Sequence, residues 1–234
     1  MIFKTIEWKT FCTFRELNAY RIYFEESEKL IQTSAQDAEK NFKAIWTPET
    51  EEEHDELRRE QMEARQLHDE ILSPTFRYSA IVTLQAIIEK ELFRLVENLE
   101  KTHGSQALKF KDLKVYLKGN LLDRVAKFSE DFFQMRFKKC RQYESLQDLQ
   151  KIRNCIVHCY GELDAMENPK HLLNLTQAKR NGKKLLPGFF AFKGASVKIE
   201  PSCVMHFTQE VWSFFTWVFL QLRWKVNDEW KKMI

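Results

Sequence analysis

Along most of this chain the apolar residues recur at the three-and-four spacing of an α-helix, and only one short stretch alternates as a strand would. Phe14, Leu17, Tyr20, Ile22, Phe24, Leu30 and Ile31 predict a helix over about 13–44. "TPET" (47–50) predicts a helix start, with Pro48 in a first-turn position and acids gathered at the positive end of the peptide dipoles. The helix that follows, about 49–71, is sparsely apolar, so Leu57, Met62, Leu67, Ile71 and Leu72 are expected to form a narrow buried stripe on an outlying helix. Ser73-Pro74 predicts a second cap and start, and Gly104 a stop. Between them Ala80, Leu84, Ile87, Ile88, Leu92, Leu95, Val96 and Leu99 form the widest apolar face in the chain.

Further along, "LKFKDLKVYLKGN" reads as a short basic helical piece broken at Gly119-Asn120. Helices are expected over 121–139, rich in Phe, and over 145–160, stopped by Gly161. A short one should run from Pro169 to Asn181-Gly182, and a last one over 204–225. Residues 184–200, "KLLPGFFAFKGASVKIE", alternate loosely around glycine and proline and predict a small β-hairpin. The fold class is therefore all-α: a helical bundle over 73–234, with an N-terminal helical extension over 1–72.

Composition supports a packed core, with 19 Phe against only 6 Gly and 5 Pro among 234 residues. Nothing in "MIFKTIEWKTF" resembles a signal peptide, and the five cysteines are odd in number and irregularly spaced, so a cytoplasmic protein with reduced thiols is expected. The apolar run 211–222 is about half the length needed to cross a bilayer, which argues against a membrane partner. Charge changes the picture more. Residues 49–71 carry ten acids against three arginines, whereas 101–141 carry eleven Lys/Arg against four acids. Residues 170–193 add six basic residues and no acid. Such segregation gives the surface a positive side suited to a polyanion.

The chemistry concentrates in "RNCIVHCY" (153–160). Advancing about 100° per residue from Leu149, the apolar arc takes in Ile152, Ile156, Cys159, Val157 and Leu146. Arg153 and Tyr160 lie inside that arc, while Asn154 and His158 stack on the opposite face. A guanidinium among apolar residues must find a partner or a solvent channel. Glu89 and Glu91 are candidate partners, although surface placement suits them better. Cys155, His158 and Cys159 invite a zinc reading, but no Cys-x2-Cys partner pair exists and helical spacing turns Cys155 away from His158, so no metal is expected.

Arg153, Asn154 and His158, followed by Tyr160, resemble the signature of the HEPN family: an arginine, a polar residue, a few variable positions and a histidine. The leucine-rich lead-in and glycine stop of "LQDLQKIRNCIVHCYGEL", preceded by a long apolar helix, extend the resemblance over roughly 74–225. It implies a HEPN-like bundle acting as a metal-independent endoribonuclease of the toxin–antitoxin or phage-defence kind. It implies RNA as substrate, no cofactor and a homodimer with a composite site. His158 would move protons, Arg153 would hold the phosphate, and Asn154 would orient either the histidine or the phosphate. Attack by the 2′-hydroxyl would leave a 2′,3′-cyclic phosphate. Tyr160 matches the tyrosine found in toxins paired with nucleotidyltransferase antitoxins, and reads either as a modification site or as a substrate contact. An antitoxin or regulatory protein is the further partner the resemblance admits. The alternative is a non-catalytic module of the same fold that binds nucleic acid or protein.

Overall fold

The computed structural model describes the backbone of residues 2–45, 48–102, 109–113, 115–177, 179–180, 183–184, 186–191 and 194–221. The side chains of 1–10, 35, 38–39, 42–47, 102–108, 114, 177–185, 192–193 and 222–234 are outside that description. The chain is mostly helical. In order it forms α1 (Ile2–Ile45), α2 (Glu51–Gln66), α3 (Ser73–Thr102), α4 (Leu121–Phe133), α5 (Gln142–Cys159), α6 (Lys170–Gln177) and, after four short strands, α7 (Pro201–Gln221).

α5, α7, α3 and α1 pack on one another around a single core. Phe14 and Phe24 of α1, Ile81, Leu84 and Ile88 of α3, Leu149 and Ile152 of α5, and Phe207, Phe214 and Phe215 of α7 are all nearly inaccessible to water. The ring of Phe14 lies 4.7 Å from Trp212 and 5.6 Å from Phe219. The expected extension therefore contributes directly to the core of the bundle. α1 is also tied to α3 by a buried ion pair: the Arg77 guanidinium donates from Nε and Nη2 to the two carboxylate oxygens of Glu28, at 2.7 and 3.1 Å.

Residue 72, where the sequence divides into extension and bundle, falls inside continuous helix. Ser73 does not cap a new helix: its backbone is right-handed helical (φ −63°, ψ −47°) and its N–H donates five residues back, to His68 O. Leu67–Leu72 are wound as a π-helix. Pro74 explains both features. Its ring would collide with the carbonyl four residues earlier in a regular α-helix, and widening the preceding turn relieves that collision.

The same turn changes which face α2 buries. Met62, Leu67, Ile71 and Leu72 of the expected stripe are each more than half exposed. Of that stripe only Leu57 is part-buried, alongside Glu53, Glu60, Gln61, Ala64 and His68, the last holding Ile31 O at 2.9 Å through Nε2. α2 starts at Glu51, two residues later than expected: Thr50 caps it in a reciprocal capping box with Glu53, and Pro48 precedes the cap instead of standing in the first turn.

Three other expectations are shifted. The basic piece is only a 3-10 turn at Phe110–Leu113, followed by turns to Asn120, which caps α4 by accepting from Asp123 N. α4 ends at Phe133 rather than 139, because Gln134 takes the left-handed conformation (φ 58°). α6 ends at Gln177, and β1 (Lys179–Arg180) then pairs antiparallel with β2 (Lys183–Lys184). An Asn-Gly pair between two short runs is the strongest hairpin signal a sequence offers. The hairpin expected within 184–200 is β3 (Phe189–Phe190) paired antiparallel with β4 (Lys198–Ile199), with Phe189 opposite Ile199. Gly104, Asn181, Gly182 and the end of the last helix beyond 221 lie outside the described residues.

The helix 51–101 is long and apolar enough, by length and composition alone, to cross a membrane. Ile81, Leu84, Ile87, Ile88, Leu92, Leu95, Val96 and Leu99 are nonetheless turned into the core, whereas Phe93 faces outward.

Candidate functional site

α5 is held along its whole length. At its N-terminal half, Tyr143 Oη and Gln147 Nε2 both donate to Asp123 Oδ1 of α4, at 2.7 and 3.0 Å. At its C-terminal end, Tyr160 and Gly161 are both left-handed, with φ 52° and 81°. Their N–H groups both return to Cys155 O. Gly161 O then accepts from Val197 N at 2.9 Å, and Tyr78 Oη of α3 donates to Val197 O. A side chain at residue 161 would run into the Tyr78 ring, so glycine is required there for contact as well as conformation. Burial pushes the Tyr78 phenol up to about 12, which keeps it a donor throughout the ordinary pH range. The end of the motif helix is thus fastened to the β-hairpin and to α3, and sequence reasoning did not single out Tyr78.

On this fixed helix Arg153 is part-buried, as its position in the apolar arc implies. Its Nη1 donates to Asn154 Oδ1 at 3.0 Å. Its Nε is buried and has no hydrogen-bond partner, and the same is true of Gln150 Oε1, one turn earlier on the helix. No carboxylate pairs with Arg153 among the described residues. Glu91 is buried and faces α1, where it accepts from Thr13 Oγ1 and pairs with Arg94. Glu89 accepts from Gln85 Nε2.

His158 is exposed and makes no hydrogen bond or ion pair among the described residues. It stands one turn beyond Asn154 on the same line. Arg153 and His158, five residues apart, diverge by about 140° around the helix axis. One copy of the chain therefore brings Arg153 to Asn154 and Asn154 under His158, but does not converge the guanidinium and imidazole on one point.

Two members of the arc behave otherwise than the helical projection implies. Val157 is 40% exposed, and Tyr160 is 86% exposed because the chain leaves the helix there and carries the phenol outward. With Asn154 and His158 they leave the last turn and a half of α5 open on one side. Cys155 is buried, which pushes its thiol up to about 11, and no group of three metal-ligating side chains occurs among the described residues.

The basic segment 109–141 displays Lys109, Lys111, Lys118, Lys127, Arg136, Lys138, Lys139 and Arg141 at the surface. Lys127 sits 4.6 Å over the Tyr116 ring. Of the second basic segment only Lys170 has a described side chain, and it too is exposed. Comparison with models of protein families, with curated proteins and with solved structures found no match to this chain.

Proposed function

We propose that the protein is a metal-independent endoribonuclease of the HEPN type, a toxin or phage-defence effector that works as a two-fold dimer in the cytoplasm without a cofactor. The observation that carries this reading is the state of Arg153. A part-buried guanidinium ordinarily sits on a carboxylate, because an uncompensated charge away from water is costly. Among the described residues Arg153 has only a neutral amide oxygen as partner, on Nη1, and no carboxylate. That arrangement suits a charge reserved for an incoming phosphate, whose oxygens match the planar fork.

The divergence of Arg153 and His158 within one chain is the reason for the dimer. In-line displacement at phosphorus needs a base for the 2′-hydroxyl, an acid for the leaving 5′-oxygen and positive charge on the phosphorane between them. One imidazole does not reach both sides of that centre. Two copies packed through the open side of α5 would supply two imidazoles and two guanidinia. Val157 would provide apolar contact at the axis, and Tyr160 a substrate contact or a modification site beside it.

The second reading, a non-catalytic nucleic-acid- or protein-binding module, is favoured by one observation: among the described residues no neighbouring side chain orients His158. Cleavage of RNA in excess EDTA separates the two. The wild-type chain should cut, and His158→Ala and Arg153→Ala should each lose at least about a hundredfold in rate. Cleavage that disappears with chelator, or persists in both variants, removes the reading.

A further inference from the structure

The stretch 134–141 is built to push cations outward. Met135, Phe137 and Cys140 are buried, and their anchoring leaves Arg136, Lys138, Lys139 and Arg141 exposed. Phe137–Lys139 form a 3-10 turn, closed by Lys139 N donating to Arg136 O at 2.9 Å. At three residues per turn, Arg136 and Lys139 stand on the same edge. Opposite them the end of α7 presents Trp217 and Gln221. The indole is held edge-on against Phe137, with ring centres 6.1 Å apart and planes at 89°.

Together with Glu130 and Gln134 these side chains line an open cleft of about 400 Å³. Gln134 reaches the rim because its left-handed backbone ends α4 there. Glu130 pairs with Arg136 at 3.5 Å, so the lining carries one net positive charge. An aromatic wall, two amides able to both donate and accept, and two cations on one edge form the set that an unpaired nucleotide requires. The base has a face to stack and an edge to hydrogen-bond, and its phosphate has a charge to neutralise. An acidic peptide would use the cations and the amides but brings no planar base to stack on the indole.

We propose that this cleft binds an unpaired nucleotide of a single-stranded RNA, with the base against Trp217 and the backbone phosphate on Arg136 and Lys139. The choice of RNA as the strand rests on the nuclease reading above; the nucleotide chemistry of the cleft does not. α5 starts after the 3-10 turn that lines this cleft and ends at the Arg153–His158 site, a rise of about 17 to 24 Å along the helix at 1.5 Å per residue. The cleft holds the substrate away from the scissile bond, supplying affinity and placement rather than chemistry.

Fluorescence anisotropy with the full chain tests this, using a labelled 12-mer of 2′-O-methyluridine that 2′-hydroxyl chemistry does not cut. Trp217→Ala should weaken binding about tenfold and Trp217→Phe should restore much of it, since stacking needs an aromatic face. The exposed double variant Arg136→Ser/Lys139→Ser should lower the slope of log affinity against log salt by about 1.4, at about 0.7 per phosphate contact on a single strand. A duplex of the same length should compete poorly. Wild-type affinity in both Trp217→Ala and the double variant overturns the proposal, as does duplex binding as tight as single-strand binding. Because the probe is uncleavable, a chain that cuts no RNA yet shows these losses refutes the nuclease reading alone. A chain that cuts RNA but binds the probe independently of Trp217 refutes this inference alone.

Discussion

Tyr160 is an aromatic side chain in backbone territory that glycine or asparagine usually occupies. Holding a bulky residue there costs on the order of 1 kcal/mol, and its ring, 86% exposed, makes no packing contact that would repay the cost. Strain kept for no structural return is a mark of a working residue. Tyr160→Gly should therefore raise the unfolding free energy by about 1 kcal/mol in a denaturant titration, while lowering the rate of RNA cleavage. Unchanged cleavage in a stabilised variant would remove Tyr160 from the site.

A second residue-scale expectation concerns His206 on α7. Burial lowers its pKa below the ordinary 6.5; Glu210 opposes that shift and Arg141 reinforces it. The unfolded chain takes up a proton as pH falls through 6.5 and the folded chain resists it, so this histidine costs stability progressively below that pH. Thermal melts from pH 8 to pH 5 should show a smaller acid loss in His206→Asn than in the wild type. Parallel curves would contradict the assignment.

Among the elements, the joint between α1, α2 and α3 is where pattern and fold diverge. Periodicity located the helices themselves, because Phe14, Leu17 and Phe24, like Ile81, Leu84 and Ile88, have only one way to leave water together. It misjudged the joint, since Ser-Pro reads equally as a helix start and as an obstacle inside a helix. Only the packing of α1 on α3 decides between them. The π-wound turn that absorbs Pro74 then rotates α2, which is why Met62 and Ile71 face outward. The pairing of β1 with β2, by contrast, has a signal in the sequence, an Asn-Gly pair between two short runs, which competes with helical spacing after Pro169. At the motif, position within α5 foretold the part-burial of Arg153 and the exposure of His158. The outward turn of Tyr160 depends on two left-handed residues that no periodicity encodes. The Glu28–Arg77 pair fixes α1 to α3 from within. Arg77→Met leaves the Glu28 carboxylate buried and unpaired, and should cost about 3 kcal/mol in urea unfolding with the slope unchanged. A loss below about 1 kcal/mol would show that the remaining contacts between α1 and α3 hold the two helices without this pair.

Taken whole, the molecule separates its charges. The acidic α2 lies along α1 at one edge, and the exposed cations of 109–141 stand on turns and on α4. α5 runs from that basic region to the open Arg153–Asn154–His158 end, so a strand bound at one end has a fixed rod leading to the other. What a single copy lacks is convergence, since its guanidinium and imidazole point in different directions. The two-fold dimer is therefore the claim on which the chemistry turns. Sedimentation velocity at the protein concentration that cleaves RNA addresses it directly. The account predicts a species of twice the chain mass for the wild type, and a monomer that no longer cuts for Val157→Asp. A wild-type chain that cleaves RNA while sedimenting strictly as a monomer would contradict it.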